Sequence, residues 1–220
     1  PNIETYVEYL LKTPGEAEAL FNNILIGVTS FFRDQDAFNA LKPILEKIIA
    51  VKKVGDPIRI WVPGCATGEE AYSIAILLSD LLKGKTQEYN IQIFATDIDE
   101  EAIAHARKAV YDEISLKSLP PKILKTYFIQ KNDKYELIKP IRSLVLFSRH
   151  DLVSNPPFLK LDLLSCRNLL IYFGANLQKH IIPVFHYALN PNGYLFLGKS
   201  ETVGQFSDLF ATLDGKSKIF

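Results

Sequence analysis

The sequence predicts an α/β fold: a doubly wound, mostly parallel sheet with a short N-terminal helical segment and a small inserted β-hairpin. Three observations predict it. A β-branched run (Ile58, Ile60, Trp61, Val62) enters Pro63-Gly64-Cys65-Ala66-Thr67-Gly68, and apolar residues then recur at helical spacing from Ala71 to Leu82, so the stretch reads as strand, glycine loop, helix. A second apolar run, Asn90 to Asp97, ends in acids and leads into an amphipathic helix through Ala109. The rhythm resumes with Leu144 to Phe147 and Leu161 to Ser165, and strands that alternate with helices make a parallel sheet.

From the N-terminus, Ile3 to Lys12 and Glu16 to Ile26 have helical apolar spacing on either side of Thr13-Pro14-Gly15, a stop signal. Residues 1–57 are therefore expected to form a helical segment and 58–220 the ligand-binding domain. Gly27 to Asp34 sets Phe31 and Phe32 beside Arg33, just before a helical pattern from Asp36 to Val51 that Asp34 is placed to cap. Two readings are open here. The phenylalanines dock the arm on the sheet and leave Arg33 on the surface, or they anchor an arginine aimed into a site.

The glycine loop asks for a ligand where a strand ends and helix N–H groups begin. A phosphate loop would follow its last glycine with Lys and Ser or Thr; here Glu69-Glu70 stands in that place. Two carboxylates repel a polyphosphate and suit a ligand that combines positive charge with ribose hydroxyls, as S-adenosylmethionine does. Thr67-x-x-Glu70 also reads as a capping box, which is compatible with a ligand role. Asp97, ending the second strand, is the candidate for ribose hydroxyls, with a plain cap as the alternative; Asp99 is placed to cap the helix from Glu100.

Residues 116–146 break the rhythm. Pro120-Pro121, Tyr127-Phe128-Ile129, the polar turn Lys131 to Lys134 and Tyr135 to Ile138 read as an inserted hairpin. From Lys117 to Arg142 seven basic residues face two acidic ones, either a solvated surface or a face for an acidic protein partner. The later strands lead to His150-Asp151-Leu152 and to Cys166-Arg167-Asn168. A helix is expected from Asn176 to Leu189, a turn at Asn190 to Gly193, a strand from Tyr194 to Leu197 and an edge strand at Ser217 to Phe220.

Composition sets limits. A chain of 220 residues that is 48% hydrophobic can bury a full core. Equal numbers of basic and acidic residues, 25 each, give no global field toward nucleic acid or an anionic membrane. Cys65 and Cys166 lack the spacing of a zinc site, so no metal is expected and both read as reduced thiols. No apolar run suits a membrane span or a signal peptide, and a cytoplasmic location is expected. A start at Pro1 in a chain without methionine fits a piece of a longer protein as well as removal of an initiator.

Five ordered motifs carry a resemblance: Thr29-x-Phe31-Phe32-Arg33, Gly68-Glu69-Glu70-x-Tyr72-Ser73, Asp97-x-Asp99, Cys166-Arg167-Asn168 followed by Ile171-Tyr172-Phe173, and Pro191-x-Gly193 to Gly198-x-Ser200-Glu201. Together they resemble the chemotaxis receptor (CheR-type) protein-glutamate O-methyltransferases. The resemblance implies the class I S-adenosylmethionine-dependent methyltransferase fold, methyl transfer to receptor glutamates, and S-adenosylhomocysteine as the product. It implies cofactor contacts at Thr29, Arg33, Gly64, Glu70, Asp97, Asp151, Leu152, Cys166 and Arg167, with Arg33 and Tyr172 as the catalytic pair. His150 is left as a structural or surface histidine. Gly27 and Asp151 depart from the Asn common in the family. The short, glycine-free turn of the hairpin implies no tether for a receptor's C-terminal peptide. The wording of Gly27 to Phe38 resembles members fused to esterase and sensory modules. Two other readings stay open: a cofactor-binding sensor without turnover, and an N-methyltransferase suggested by Asn155-Pro156-Pro157-Phe158.

Overall fold

A computed structural model describes residues 2–16, 20 and 29–220. The first helix, α1, spans Ile3–Lys12 and is capped by Asn2, which exchanges hydrogen bonds with Thr5. The second expected helix, 16–26, and Gly27 lie largely or wholly outside the described residues. Then follow α2 (Gln35–Ala50), β1 (Pro57–Pro63), α3 (Glu69–Leu81), β2 (Asn90–Asp97) and α4 (Glu100–Lys108). The inserted region supplies β3 (Val110–Asp112), α5 (Glu113–Leu116), α6 (Pro121–Tyr127), β4 (Phe128–Lys131), β5 (Lys134–Leu137) and α7 (Lys139–Arg142). The chain closes with β6 (Val145–Arg149), β7 (Leu161–Cys166), α8 (Ala175–Ala188) and β8 (Leu189–Leu197).

The main sheet has the order β6-β2-β1-β7-β8, with every pairing parallel. Alternation along the strands supplies a core on each face. Ile58, Ile60 and Val62 of β1 pack with Phe38, Leu41 and Ile74 on one side, while Trp61 packs with Leu164, Phe185 and Leu195 on the other. The chain winds outward through β2 and β6, then returns past β1 to β7, so the order reverses between β1 and β7. A ligand of an open α/β sheet binds outside the carboxyl ends of the strands at such a reversal.

Residues 217–220 do not make a full strand, yet they lie antiparallel along β8. Leu195 and Phe220 exchange both main-chain hydrogen bonds, at 3.0 and 2.9 Å, and the Leu197 N–H donates to the Lys218 carbonyl at 3.0 Å. The hairpin is present as β4 and β5, and a third strand from before residue 116, β3, pairs antiparallel with β5.

Two capping expectations are corrected. Gly68, not Thr67, holds the N-cap position of α3, at φ +94°, and the Thr67 hydroxyl donates to the Glu69 carboxylate at 2.6 Å instead of capping. Asp34 holds the N-cap position of α2, but its carboxylate takes no bond from the helix because two cations claim it. Asp99 does cap α4, accepting from the Glu101 and Ala102 N–H groups.

Candidate functional site

The carboxyl ends of β1, β2 and β7 bring Gly64, Asp97, Cys166 and Arg167 together with the first turn of α3, which carries Glu69 and Glu70. Gly64 has φ +66°, and a Cβ there would stand 2.8 Å from a Leu169 methyl, so the loop needs glycine both for its backbone and for the close approach of the segment after β7. Asp97 braces the same loop. One carboxylate oxygen accepts from the Ala66 N–H at 2.8 Å and the other from the Asp99 N–H at 3.1 Å, which leaves each with further lone-pair capacity.

The field at the loop is negative. Cys65 is buried, and burial, then the nearby Asp97, Glu69 and Glu70 carboxylates, push its thiol well above the ordinary range. Burial likewise pushes Glu70 up, opposed by Arg167 and by the hydroxyl of Ser165, which donates to Glu70 at 2.7 Å. Asp97, Glu69 and Glu70 gathered at one loop favour a cationic ligand with hydroxyls over a polyphosphate.

Arg167 is placed differently from a simple ligand-facing arginine. Its side chain is 0% exposed, and it bonds Glu70 at 3.3 Å and Asp34 at 3.0 Å. The guanidinium carbon lies 5.2 Å from the Phe38 ring centroid and 4.8 Å from that of Phe196. Arg167 thus ties α3, the arm before α2 and the end of β7 into one unit. Cys166 is also fully buried, and burial pushes its thiol well up.

The arm from Thr29 to Asp34 crosses this unit. Phe31 is fully buried, edge-on to Tyr111 of β3 at 4.9 Å and to Phe128 of β4 at 5.4 Å. Phe32 packs edge-on to Phe38, and its N–H donates to Ser73 at 2.9 Å. The two phenylalanines do dock the arm, but Phe31 rests on the small inserted sheet and Phe32 on α2 and α3, and the exposed Arg33 sits between them and Asp34. Thr29 is half-buried at the start of the arm. Tyr72 and Tyr111 add to the joint: Tyr111 donates to the Thr67 carbonyl at 2.8 Å, and Tyr72 to the Ala106 carbonyl at 2.9 Å.

After β6, the Asp151 carboxylate accepts from the Val153 N–H at 2.9 Å, and that backbone bond holds its carboxyl below the usual range. Leu152 packs against the core on the Trp61 face. His150 bonds the Pro156 carbonyl at 3.0 Å and lies edge-on to Trp61 at 5.5 Å, a structural placement. The Asn155 to Phe158 motif is taken up in packing: the Asn155 side chain accepts from the Asp151 N–H, and Phe158 stacks on Phe94 at 4.5 Å. Tyr172 lies in a turn of 3-10 helix, Leu170–Tyr172, with 56% of its surface exposed.

Glu201 stands in the sequence only as the end of a motif, with nothing local to mark its partners. Buried, its carboxylate accepts from the N–H groups of Asn168 (2.9 Å), Leu170 (2.7 Å) and Gly198 (2.6 Å), clamping the segment that carries Tyr172 to the loop after β8. On the inserted unit, Glu136 pairs with Lys131 and with Arg142, and Lys134 pairs with Asp112. Part of the basic face is thus neutralised internally. No helix among the described residues is long and apolar enough to cross a membrane.

Residues 27–219 match the model of the CheR methyltransferase, SAM binding domain, family. The chain is 38% identical over 221 residues to an uncharacterised 104.1 kDa protein of Rhodobacter capsulatus, and it spans all of this chain but only 23% of that one. It is 36% identical to chemotaxis protein methyltransferase 2 of Vibrio cholerae, covering 89% of this chain and 69% of the other, and 33% identical to the chemotaxis protein methyltransferase of Escherichia coli, covering 92% and 70%. A TehB-like SAM-dependent methyltransferase structure from Corynebacterium glutamicum aligns over 89% of this chain and 78% of its own at 14% identity and a TM-score of 0.43, too loose a likeness to bear on the site.

Proposed function

The chain belongs to the CheR methyltransferase family, and on that footing we propose that it methylates glutamate side chains of a receptor-like protein, giving glutamate methyl esters. The observation that carries the reading is the glycine loop at the sheet's reversal point with Asp97, Glu69 and Glu70 gathered around it. The relatives named as chemotaxis methyltransferases support the choice of acceptor.

S-adenosylmethionine, when bound, supplies an electrophilic methyl group on a sulfonium sulfur. In this reading Asp97 and Glu70 would hold its ribose hydroxyls and charged methionine part, with Thr29, Gly64, Asp151, Leu152, Cys166 and Arg167 as the remaining cofactor contacts. Arg33 and Tyr172 orient the acceptor.

A glutamate with a pKa of about 4.3 is already an anion at neutral pH, so no general base is required. The bound cofactor would supply the methyl group and its sulfur would keep the electrons of the C–S bond, so the acceptor carboxylate would need no proton transfer. What remains for the protein is alignment. A guanidinium fork from Arg33 and the phenol of Tyr172 hold the carboxylate in line, and proximity supplies most of the acceleration. The basic residues of 117–142 that Glu136 does not engage offer an acidic partner a second point of contact.

Calorimetric titration with S-adenosylhomocysteine on wild type, Asp97→Ala and Asp97→Asn, followed by radiolabelled methyl transfer with Arg33→Ala as control, tests this reading. Micromolar binding that weakens in Asn and vanishes in Ala is the expected result. Absence of binding to folded wild type would sink it.

A further inference from the structure

Arg33 is bracketed by two non-glycine residues in the left-handed region, Phe32 at φ +50° and Asp34 at φ +62°. Such backbone is strained for a residue with a side chain and persists only where the surroundings over-determine it. On the Phe32 side the holding contacts are Ser73 and Phe38. On the Asp34 side they are charges: one carboxylate oxygen meets Arg167 at 3.0 Å and the other meets Lys199 at 2.7 Å.

Four alternating charges therefore run outward, Glu70, Arg167, Asp34 and Lys199, from the fully buried guanidinium to a lysine whose side chain is 58% exposed. They join α3, the end of β7, the arm and the loop after β8. The same loop holds Glu201, which fixes the segment bearing Tyr172. Lys199 and Glu201 thus connect the two sides of the site, the arm with Arg33 and the turn with Tyr172, through the three residues Lys199-Ser200-Glu201.

We infer that Asp34 and Lys199 are positioning residues for methyl transfer, acting through the arm to set Arg33 against Tyr172. The inference rests on the roles given to Arg33 and Tyr172 above. Both oxygens of Asp34 are engaged, one by Arg167 and one by Lys199, and the Lys199 hydrogen bond chiefly holds its carboxyl below the usual range. Because Lys199 is on the surface, its replacement leaves the core intact.

The experiment is a series, Lys199→Arg, Lys199→Ala and Lys199→Glu, together with Asp34→Asn, which keeps shape and tolerates the left-handed backbone while removing the charge. Two quantities are read: hydrogen exchange across residues 29–38, where Arg33, Ala37 and Phe38 donate to Ser30 and Asp34 carbonyls, and kcat for methyl transfer at saturating cofactor. Expected are wild-type behaviour for Arg, faster exchange and about a tenfold lower kcat for Ala, and a further fall toward about a hundredfold for Glu and for Asp34→Asn, with melting temperatures of the three Lys199 variants close to wild type. Unchanged exchange in Lys199→Glu overturns the inference, and so does faster exchange with wild-type kcat. If wild type itself transfers no methyl group while binding S-adenosylhomocysteine, the glutamate reading fails, and the order of the exchange rates alone decides whether the pair holds the arm.

Discussion

Arg167 carries its charge with no exposed side-chain surface, and that single placement sets the behaviour of its neighbours. Breaking a buried ion pair by removing one partner costs about 3–5 kcal/mol, so Arg167→Ala should lower the unfolding free energy by that order in urea denaturation. Asp34 gives the pH dependence. Its folded pKa lies below the unfolded value, so its contribution is complete above the unfolded carboxylate pKa of about 3.9 and is lost as pH falls through the lower folded value. The acid limb of stability against pH should accordingly be shallower in Asp34→Asn than in wild type. For Cys65 and Cys166, burial pushes both thiols well up, so a thiol reagent near neutral pH should label neither in the native protein and both after unfolding in guanidinium. The sequence had both cysteines at strand ends and both acids of the loop. It could not show that Arg167 turns inward, because its partner Asp34 is 133 residues away and its aromatic sandwich comes from α2 and β8.

Among elements, the segment after β7 depends on one carboxylate. Glu201→Ala would leave three backbone N–H groups without their acceptor, and each unsatisfied buried donor costs roughly 1–3 kcal/mol. A drop of about 3 kcal/mol is expected in chemical denaturation, with Glu201→Gln intermediate; loss of turnover should exceed that of cofactor affinity because Tyr172 rides on the released segment. The strand, loop and helix around Gly64 could be read in advance because period 2 gives way to period 3.6 within a few residues. The helix start was misplaced at Thr67 because a capping box and a left-handed glycine cap leave similar local signals; the Thr67 hydroxyl chose the Glu69 carboxylate. The third strand of the small sheet has no signature in the sequence for another reason. Val110 to Asp112 is three residues long, and its partner Lys134 to Glu136 lies more than twenty residues downstream. No local pattern announces such a pairing.

For the whole molecule, the parallel sheet, its reversal point and the acids gathered there were legible in the alternation of strands and helices. The way the small sheet is joined to the site was not. Tyr111 of β3 reaches the Thr67 carbonyl with its hydroxyl and Phe31 with its ring, so the inserted unit, the glycine loop and the arm share one residue. Tyr111→Phe removes only the hydroxyl. A loss of affinity for S-adenosylhomocysteine with a small change in melting temperature is expected, read by titration calorimetry beside thermal unfolding. The residues along β8 have a different significance. Leu195, Phe196 and Leu197 would present an open row of main-chain donors and acceptors if the Lys218 to Phe220 stretch did not lie against them. An uncovered strand of that kind recruits the same strand from another molecule. The three residues Lys218 to Phe220 therefore work as a guard against self-association: with them replaced by glycines, light scattering should report growing oligomers at concentrations where the wild-type sequence stays dispersed.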